Sequence, residues 1–327
     1  MWITVPDYFT SFKCIADKCR DSCCIGWEID IDDDARLKYD FLNTSLGAEI
    51  RKKTSHGYFP LDKNGRCAFL NCKGLCRIVS ELGEGYLCDI CNEHPRYYGV
   101  GVDGFEGGIG LGCEEAARII LSLEKKPRLI EIEREIPYYE EDNRAFVSEY
   151  FRDKLYDRIF SQGIEKLIGS FVKYAKSTTT DDYFYFACQI SRCMPAISDE
   201  PLNDEKIEEI LKLTFSLLDE CEALSDEWDD LVYAASKVRL SRILKKDKEI
   251  RGLSYYFTHR YVRECVHDKS IGKRILFAIM SALAIVALSE VMDGDDKEVR
   301  AAVLYSKNVE YSTDNVDMIL SEIDLYK

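Results

Sequence analysis

Gly107-Gly108-Ile109-Gly110-Leu111-Gly112-Cys113-Glu114-Glu115-Ala116-Ala117-Arg118-Ile119-Ile120-Leu121 is the stretch at which the chain changes character. Its first half closes a glycine-rich segment: from Gly99 to Gly112, seven of fourteen residues are glycine. Its second half reads as a helix, with Glu114 and Glu115 in the first turn, where acids favour the positive end of the dipole. Cys113 stands at the join and is the last of ten cysteines that begin at Cys14; only Cys188, Cys193, Cys221 and Cys265 follow. Before the join, blocks of cysteine and glycine predict loops and short hairpins organised around something other than a large apolar core. After it, apolar residues at helical spacing predict helices. The expected fold is mainly α: a cysteine-rich metal-binding domain of loops and short elements over residues 1–125, then an all-helical domain over residues 126–327.

Within the first region a helix is expected near Asp33 to Lys53, where Leu37, Phe41 and Leu42 recur at helical spacing. Residues 129–139 predict a strand or extended link, closed by Pro137. Helices are expected near 141–161, 163–176, 181–193, 203–222, 225–247, 250–267, 270–292, 295–306 and 313–326. Asn203, Ser225 and Ser270 are candidate N-caps, and Thr313 and Asp314 can serve the last helix. Thr178-Thr179-Thr180 and Ile197 to Leu202 read as loops. No repeat of fixed period is visible.

Of the 327 residues, 46% are hydrophobic and 31% charged, the profile of a globular protein. A formal net charge of -15 and a pI near 4.9 repel a phosphate backbone. The basic pairs Lys52–Lys53 and Lys245–Lys246 are isolated, so nucleic acid is excluded as a partner and a lysine-bearing protein suits the charge better. Met1-Trp2-Ile3-Thr4-Val5-Pro6-Asp7 shows no secretory signal. The apolar run from Ile275 to Leu288 is about 14 residues, short of the roughly 20 that span a bilayer, and predicts a buried helix. No membrane span and a cytoplasmic address are therefore expected. Such an address keeps thiols reduced, so fourteen cysteines point to metal or redox chemistry rather than disulfides.

The cysteines fall into four groups: Cys14-x4-Cys19-x3-Cys23-Cys24; Cys67, Cys72 and Cys76; Cys88-x2-Cys91, followed by His94-Pro95-Arg96; and Cys113. Thiolate is the soft ligand that holds zinc and iron–sulfur clusters, and close spacing lets one loop present several sulfurs. The competing reading is a set of small buried hydrophobes. Adjacent Cys23 and Cys24 point to opposite sides in extended backbone, so they can serve two sites, or one can ligate while the other packs. Ten cysteines exceed one tetrahedral site, which leaves two metal centres or one cluster with spare thiols. Only Cys88-x2-Cys91 resembles a zinc knuckle, which favours an iron–sulfur cluster, with zinc as the alternative.

At this point the sequence resembles the flagellin lysine-N-methylases. The residues are Phe12-x-Cys14-x4-Cys19-x-Asp21-x-Cys23-Cys24-x-Gly26-Trp27-x-Ile29-x-Ile31-Asp32, then Cys67-x-Phe69-Leu70 with Leu75-Cys76-x-Ile78. Gly85-x-Leu87-Cys88-x2-Cys91-x2-His94-Pro95-Arg96 and Cys113-x-Glu115-Ala116-Ala117-Arg118 follow. The chain is also similar to a broader group of zinc- or iron-chelating domains. The likeness is specific over residues 8–121. It implies N-methylation of flagellin lysines, S-adenosylmethionine as methyl donor and a cysteine-bound cluster of the 4Fe-4S type. The family cysteines fall on Cys14, Cys19, Cys23, Cys24, Cys67, Cys76, Cys91 and Cys113; Cys88 and Cys72 fit the pattern less well. Where the family has Tyr before Pro-Arg, this chain has His94, a candidate nitrogen ligand or a surface histidine. Where it has Cys-Pro-Glu, this chain has Cys113-Glu114-Glu115.

No methyl-donor motif can be derived from the residues themselves. Gly107 to Gly112 precede a helix, and Glu131 or Glu133 follows about 20 residues on, yet no alternation of strand and helix builds a parallel sheet. The glycines read better as turns that wrap closely around metal. Trp27, Tyr97 and Tyr98 line an aromatic pocket or pack on the cysteine loops. Asp30, Asp32, Asp33 and Asp34 attract a lysine, or cap a helix with a solvated acidic turn. Arg96 holds a carboxylate, or is exposed or salt-bridged. His259 and His267 read as structural. A lysine nucleophile must be neutral, and Glu28, Asp30 and Tyr97 are the candidate bases. The catalytic residues are otherwise unassigned. The rival readings are a non-catalytic zinc- or iron-binding structural or interaction module, and a redox or metal-transfer protein.

Overall fold

Every position from Ile275 to Ser289 is apolar, small or hydroxylic. A helix that is apolar all round must be buried on all sides. In the computed structural model this run lies in the middle of a 21-residue helix, Ile271–Val291, whose residues 275–289 are all buried. The helix is long and apolar enough to cross a membrane by length and composition, and 94% of its apolar window lies inside the protein. The structure describes residues 1–20, 23–101, 104–137, 149–177, 201–223, 226–264 and 271–323.

In chain order the described elements are β1 (Trp2–Pro6), β2 (Ile29–Asp30), α1 (Asp33–Asp40), α2 (Ser45–Lys53), β3 (Tyr58–Phe59), α3 (Arg77–Leu82), α4 (Asp89–Glu93), β4 (Arg96–Gly101), β5 (Gly104–Ile109), α5 (Glu114–Leu121) and β6 (Leu129–Glu133). There follow α6 (Glu149–Ser161), α7 (Ile164–Ser177), α8 (Asp204–Glu220), α9 (Asp226–Ala235), α10 (Leu240–Ile243), α11 (Asp247–Tyr261), α12 (Ile271–Val291), α13 (Lys297–Tyr305) and α14 (Thr313–Glu322). The mainly α expectation is met. Helix α12 packs on α7, α8, α9, α11 and α13.

Four strands form a sheet in the order β4-β5-β1-β6. Strand β1 runs parallel to β5, pairing Ile3 with Phe105, and antiparallel to β6, from Trp2–Glu133 to Pro6–Leu129. The expected hairpin is β4–β5, and the expected extended link at 129–139 is β6. Strand β1 is new: five residues with no turn signal beside them carry too little pattern to announce a strand, although Ile3 and Val5 are fully buried.

Packing groups the residues differently from the composition boundary at 125. The large core joins Ile3, Val5 and Phe9, Ile109 and Leu111, and α5 to the later helices. A second, small core gathers Ile29, Ile31, Tyr39, Ile50, Phe59, Phe69 and Ile78. Several expected boundaries shift. The helix expected from 33 to 53 breaks into α1 and α2, each with its own N-cap: Asp32 accepts from Ala35 N at 2.8 Å and Thr44 from Gly47 N at 3.0 Å. The helix expected from 225 to 247 divides into α9 and α10. Asn203 caps α8 as expected, whereas Ser312, not Thr313, caps α14. The calls on residues 178–193, Ser225, Cys188, Cys193, Cys265, His267 and Ser270 lie outside the described residues.

Candidate metal centre

Four cysteines pack against the small core: Cys67, Cys76, Cys88 and Cys91. Short backbone pairings hold them there. Cys67 N donates to the Cys24 carbonyl at 2.8 Å, and single bridges join Leu61 to Cys67 and Leu70 to Cys76. Cys76 and Cys88 precede α3 and α4 at their N-cap positions. Asp32, besides capping α1, accepts from Asp89 N at 2.7 Å and so fixes α4 against α1. A hydrogen bond from Cys91 holds the Cys88 thiol below its usual range, while the same bond and burial push Cys91 far up. Burial lifts Cys67 to about 12, with Cys24, Cys76 and Cys88 adding to it. Burial also raises Cys76, against the pull of the Val79 and Ile78 amides.

The remaining thiols lie toward the large core. Cys113 precedes α5 at its N-cap position and packs on that core. Burial raises its thiol, the Ala116 and Glu115 amides lower it, and Cys14 raises it again. Cys23 and Cys24 occupy a turn rather than extended backbone, so their sulfurs do not diverge as expected; they stand 3.9 Å apart. Cys23 is raised by its hydrogen bond to Cys24, by burial, and by Cys24, Cys113 and Cys14. Ala16 N donates to Cys14 Sγ at 3.4 Å. The segment carrying Cys19 is anchored through Arg20 N, which donates to Glu114 Oε2 at 2.7 Å. Cys72 is exposed. Cys221 is buried within the helical body, its thiol donating to the Leu217 carbonyl at 3.4 Å.

The donor set suits a soft metal in type, because crowded buried thiols bind protons tightly and a cation reverses that preference. Among the described residues, no group of three or more His, Cys, Asp or Glu side chains stands ready-made as a metal site. Thiols not already closed into a site couple metal binding to local ordering.

His94 is not the surface histidine that the sequence also allowed. Its Nε2 is shielded from solvent without a hydrogen-bond partner, its ring lies 6.1 Å from that of Trp27, and burial followed by Lys307 holds it neutral, near 4. Trp27 donates from its indole to the Cys23 carbonyl at 2.8 Å and packs 5.6 Å from Tyr311. Tyr97 and Tyr98 do not join it in one pocket, since neighbours on a strand face opposite ways. Tyr98 donates to Glu93 at 2.5 Å, whereas the Arg260 guanidinium lies 4.8 Å from the Tyr97 ring. The Arg96 guanidinium lies over Phe9 and Phe12, at 5.7 and 5.3 Å, rather than on a carboxylate. The glycines leave room for tyrosines: a side chain on Gly108 would meet the Tyr97 hydroxyl, and one on Gly112 that of Tyr311. Among the candidate bases, Glu28 and Asp30 are solvated on the surface. Burial keeps the Tyr97 hydroxyl protonated.

Two buried polar groups escaped the sequence reading. Glu106 on β5 forms a bidentate pair with Arg152 on α6, at 2.6 and 2.5 Å. Beside it, His259 Nε2 donates to the Gly107 carbonyl at 3.1 Å and its Nδ1 accepts from Tyr156 Oη at 3.1 Å. Glu310 accepts from Tyr256 at 2.7 Å and Tyr261 at 2.9 Å, and pairs with Arg260 at 3.2 Å. A lone acid in a glycine-rich strand was the one available signal; its partner lies 46 residues away.

Over 130 residues the chain is 30% identical to lysine-N-methylases of Salmonella typhimurium and Salmonella choleraesuis. It is 29% identical over 133 residues to the flagellar biosynthetic protein FliU of Salmonella muenchen. Over this stretch the chain is similar to the lysine-N-methylases. Each match takes in 37% of the chain; it covers 32% of the two lysine-N-methylases and 77% of FliU. The chain thus spans about a third of the length of the lysine-N-methylases it matches. No family model matches the chain, and no solved structure matches it.

Proposed function

We propose that the chain is a protein-lysine N-methyltransferase acting on flagellin. S-adenosylmethionine is the proposed methyl donor, and the N-terminal cysteines are the proposed ligands of an iron–sulfur cluster of the 4Fe-4S type. The observation that carries this reading is the likeness to lysine-N-methylases and FliU, joined to mostly half-buried thiols drawn from four separate segments of chain. Ligands drawn from Cys14, Cys19, Cys23, Cys24, Cys67, Cys76, Cys91 and Cys113 would hold the iron, four thiolates to a cluster. A bound cluster would offer iron chemistry toward the methyl donor, or would hold the fold. The acidic chain, at formal charge -15, attracts a lysine-presenting protein. The cytoplasm is the proposed address, where flagellin is met before export.

The test uses protein prepared anaerobically and analysed for iron and acid-labile sulfide. Iron and sulfide together are expected; zinc alone, without sulfide, overturns the cluster. Incubated with flagellin and S-adenosylmethionine, the loaded protein is expected to raise lysine-bearing peptides by whole methyl increments. The limited coverage of the lysine-N-methylases favours one other reading, a non-catalytic zinc- or iron-binding module. Unmodified flagellin bound tightly by metal-replete protein would establish that reading instead.

A further inference from the structure

The pair Lys245–Lys246 is not isolated as the sequence reading had it; it closes a longer basic segment whose other cations are spaced two and three residues apart. From Lys237 to Lys248 the chain carries six cations and one acid, a net +5 inside a protein of formal charge -15. The segment runs from the end of α9 through α10 into α11, and Lys237, Arg239, Arg242, Lys245 and Lys248 are exposed along it. Part of the charge is matched. Arg242 reaches the Glu290 carboxylate at 2.7 Å, Lys246 reaches Glu298 at 2.6 Å, and the one acid, Asp247, is taken by Arg251 at 2.7 Å. Among the described residues, no carboxylate pairs with Lys237, Arg239 or Lys245. The Lys237 ammonium rests instead 3.4 Å from the centre of the Tyr233 ring, and Tyr233 is 65% exposed.

Two of these unmatched cations border a groove of about 430 Å³, lined by Ala234, Lys237, Val238, Arg239, Arg242 and Val291. Three lining residues are aliphatic, three are cationic and none is acidic. The turn that carries them is tied down: Ser236 N donates to the Val232 carbonyl at 3.0 Å, Lys237 N to that of Ala234 at 3.2 Å and Val238 N to that of Ala235 at 3.0 Å. A turn so bonded needs little further ordering to receive a ligand. Exposed acids bound the groove along the chain: Asp230 stands one helical turn before Ala234, and Asp293 two residues after Val291. We propose that this groove is a docking site for an acidic protein segment that carries an aliphatic side chain among its carboxylates. The carboxylates meet Lys237 and Arg239, and the aliphatic side chain meets Ala234, Val238 and Val291. A nucleic-acid strand or an anionic bilayer fits less well, because each would lay unbroken negative charge over the flanking acids. A peptide can place its charge only where the cations stand. The site uses none of the cysteines and is independent of the methyltransferase reading.

The experiment titrates the full chain into a fluorescent glutamate-rich peptide that carries leucines, read by anisotropy. Saturable binding is expected, weakening as salt rises from about 0.05 to about 0.5 M, because exposed charges are screened. Lys237→Glu with Arg239→Glu is expected to weaken binding by about tenfold or more, since two attractions become repulsions. Lys52→Glu with Lys63→Glu makes the same change of charge elsewhere on the surface and is expected to leave binding unchanged. The second measurement needs no substitution: a photoreactive leucine in the peptide is expected to label the wild-type chain within residues 234–242 or at Val291. Absence of saturable binding, equal loss in the two double variants, or labelling elsewhere overturns the site. Equal binding of a glutamate-rich peptide with glycine in place of leucine overturns the aliphatic half of the recognition. Tighter binding of a single-stranded oligonucleotide, or of phosphatidylglycerol vesicles, lost in Lys237→Glu with Arg239→Glu, overturns the protein partner in favour of that polyanion.

Discussion

Glu106 shows how much one residue can depend on a partner far along the chain. Burial pushes its carboxyl up, and the Arg152 guanidinium, helped by His259, overrides that and holds it near 2. Removing the cation strands a buried charge, so Arg152→Met is expected to destabilise the protein by roughly 3–5 kcal/mol in chemical denaturation. Glu106 is ordinarily near 4.5, so its contribution is complete above that pH and fades as pH falls toward 2. His259 acts earlier. Burial, then Arg152, lowers it from 6.5 to about 4, and the unfolded chain takes up that proton first. Stability is therefore expected to fall between pH 6.5 and about 4 in urea titrations. His259→Gln should flatten part of that fall; His94, lowered over the same range, accounts for the rest. Asp32 was legible as a cap because a cap acts within three residues. His259 was legible as structural, but its partners and the whole role of Glu106 were not, because those partners come from other elements.

Among elements, the helices announced themselves wherever apolar spacing ran for several turns, as in α7, α8 and α12. The breaks between α1 and α2 and between α9 and α10 did not, since one interrupted turn barely disturbs a 3.6-residue period. The glycines carried an ambiguous signal. The same residues that suit a metal loop also suit a strand whose backbone is covered by Tyr97 and Tyr311. Gly252 on α11 was invisible as a contact until α5 was seen against it: a side chain there would strike the Ile120 carbonyl. Overpacking of backbone on backbone has little room to relax, so Gly252→Ala is expected to destabilise by roughly 1–3 kcal/mol, read as a lower denaturation midpoint. Gly83→Ala, with open space around it, tests the other effect of such a change. Its φ of +94° strains any side chain, so that variant should lose stability through conformation alone.

For the whole molecule, the two cores set what can be separated. Residues 3–12 and 109–121 line the large core beside α11 and α13. A chain beginning at residue 126 is therefore expected to lose cooperative unfolding, which calorimetry would show as the absence of a single sharp transition. The small core depends on its thiols, so metal loading should raise the midpoint of the intact chain and chelation should return it to the apo value. The cysteine clustering was plain in the sequence, whereas the side on which each sulfur lies was not, because that depends on turns and on a vicinal pair. Helix α12 carries a further consequence for how cells handle the chain. Eighteen of its 21 residues are buried, hidden only by their neighbours. A ribosome stalled before α13, or a variant unable to cover α12, would present the insertion machinery with what reads as a membrane anchor. Such products should be recovered with the membrane fraction, or degraded there, while the finished chain keeps that helix out of sight.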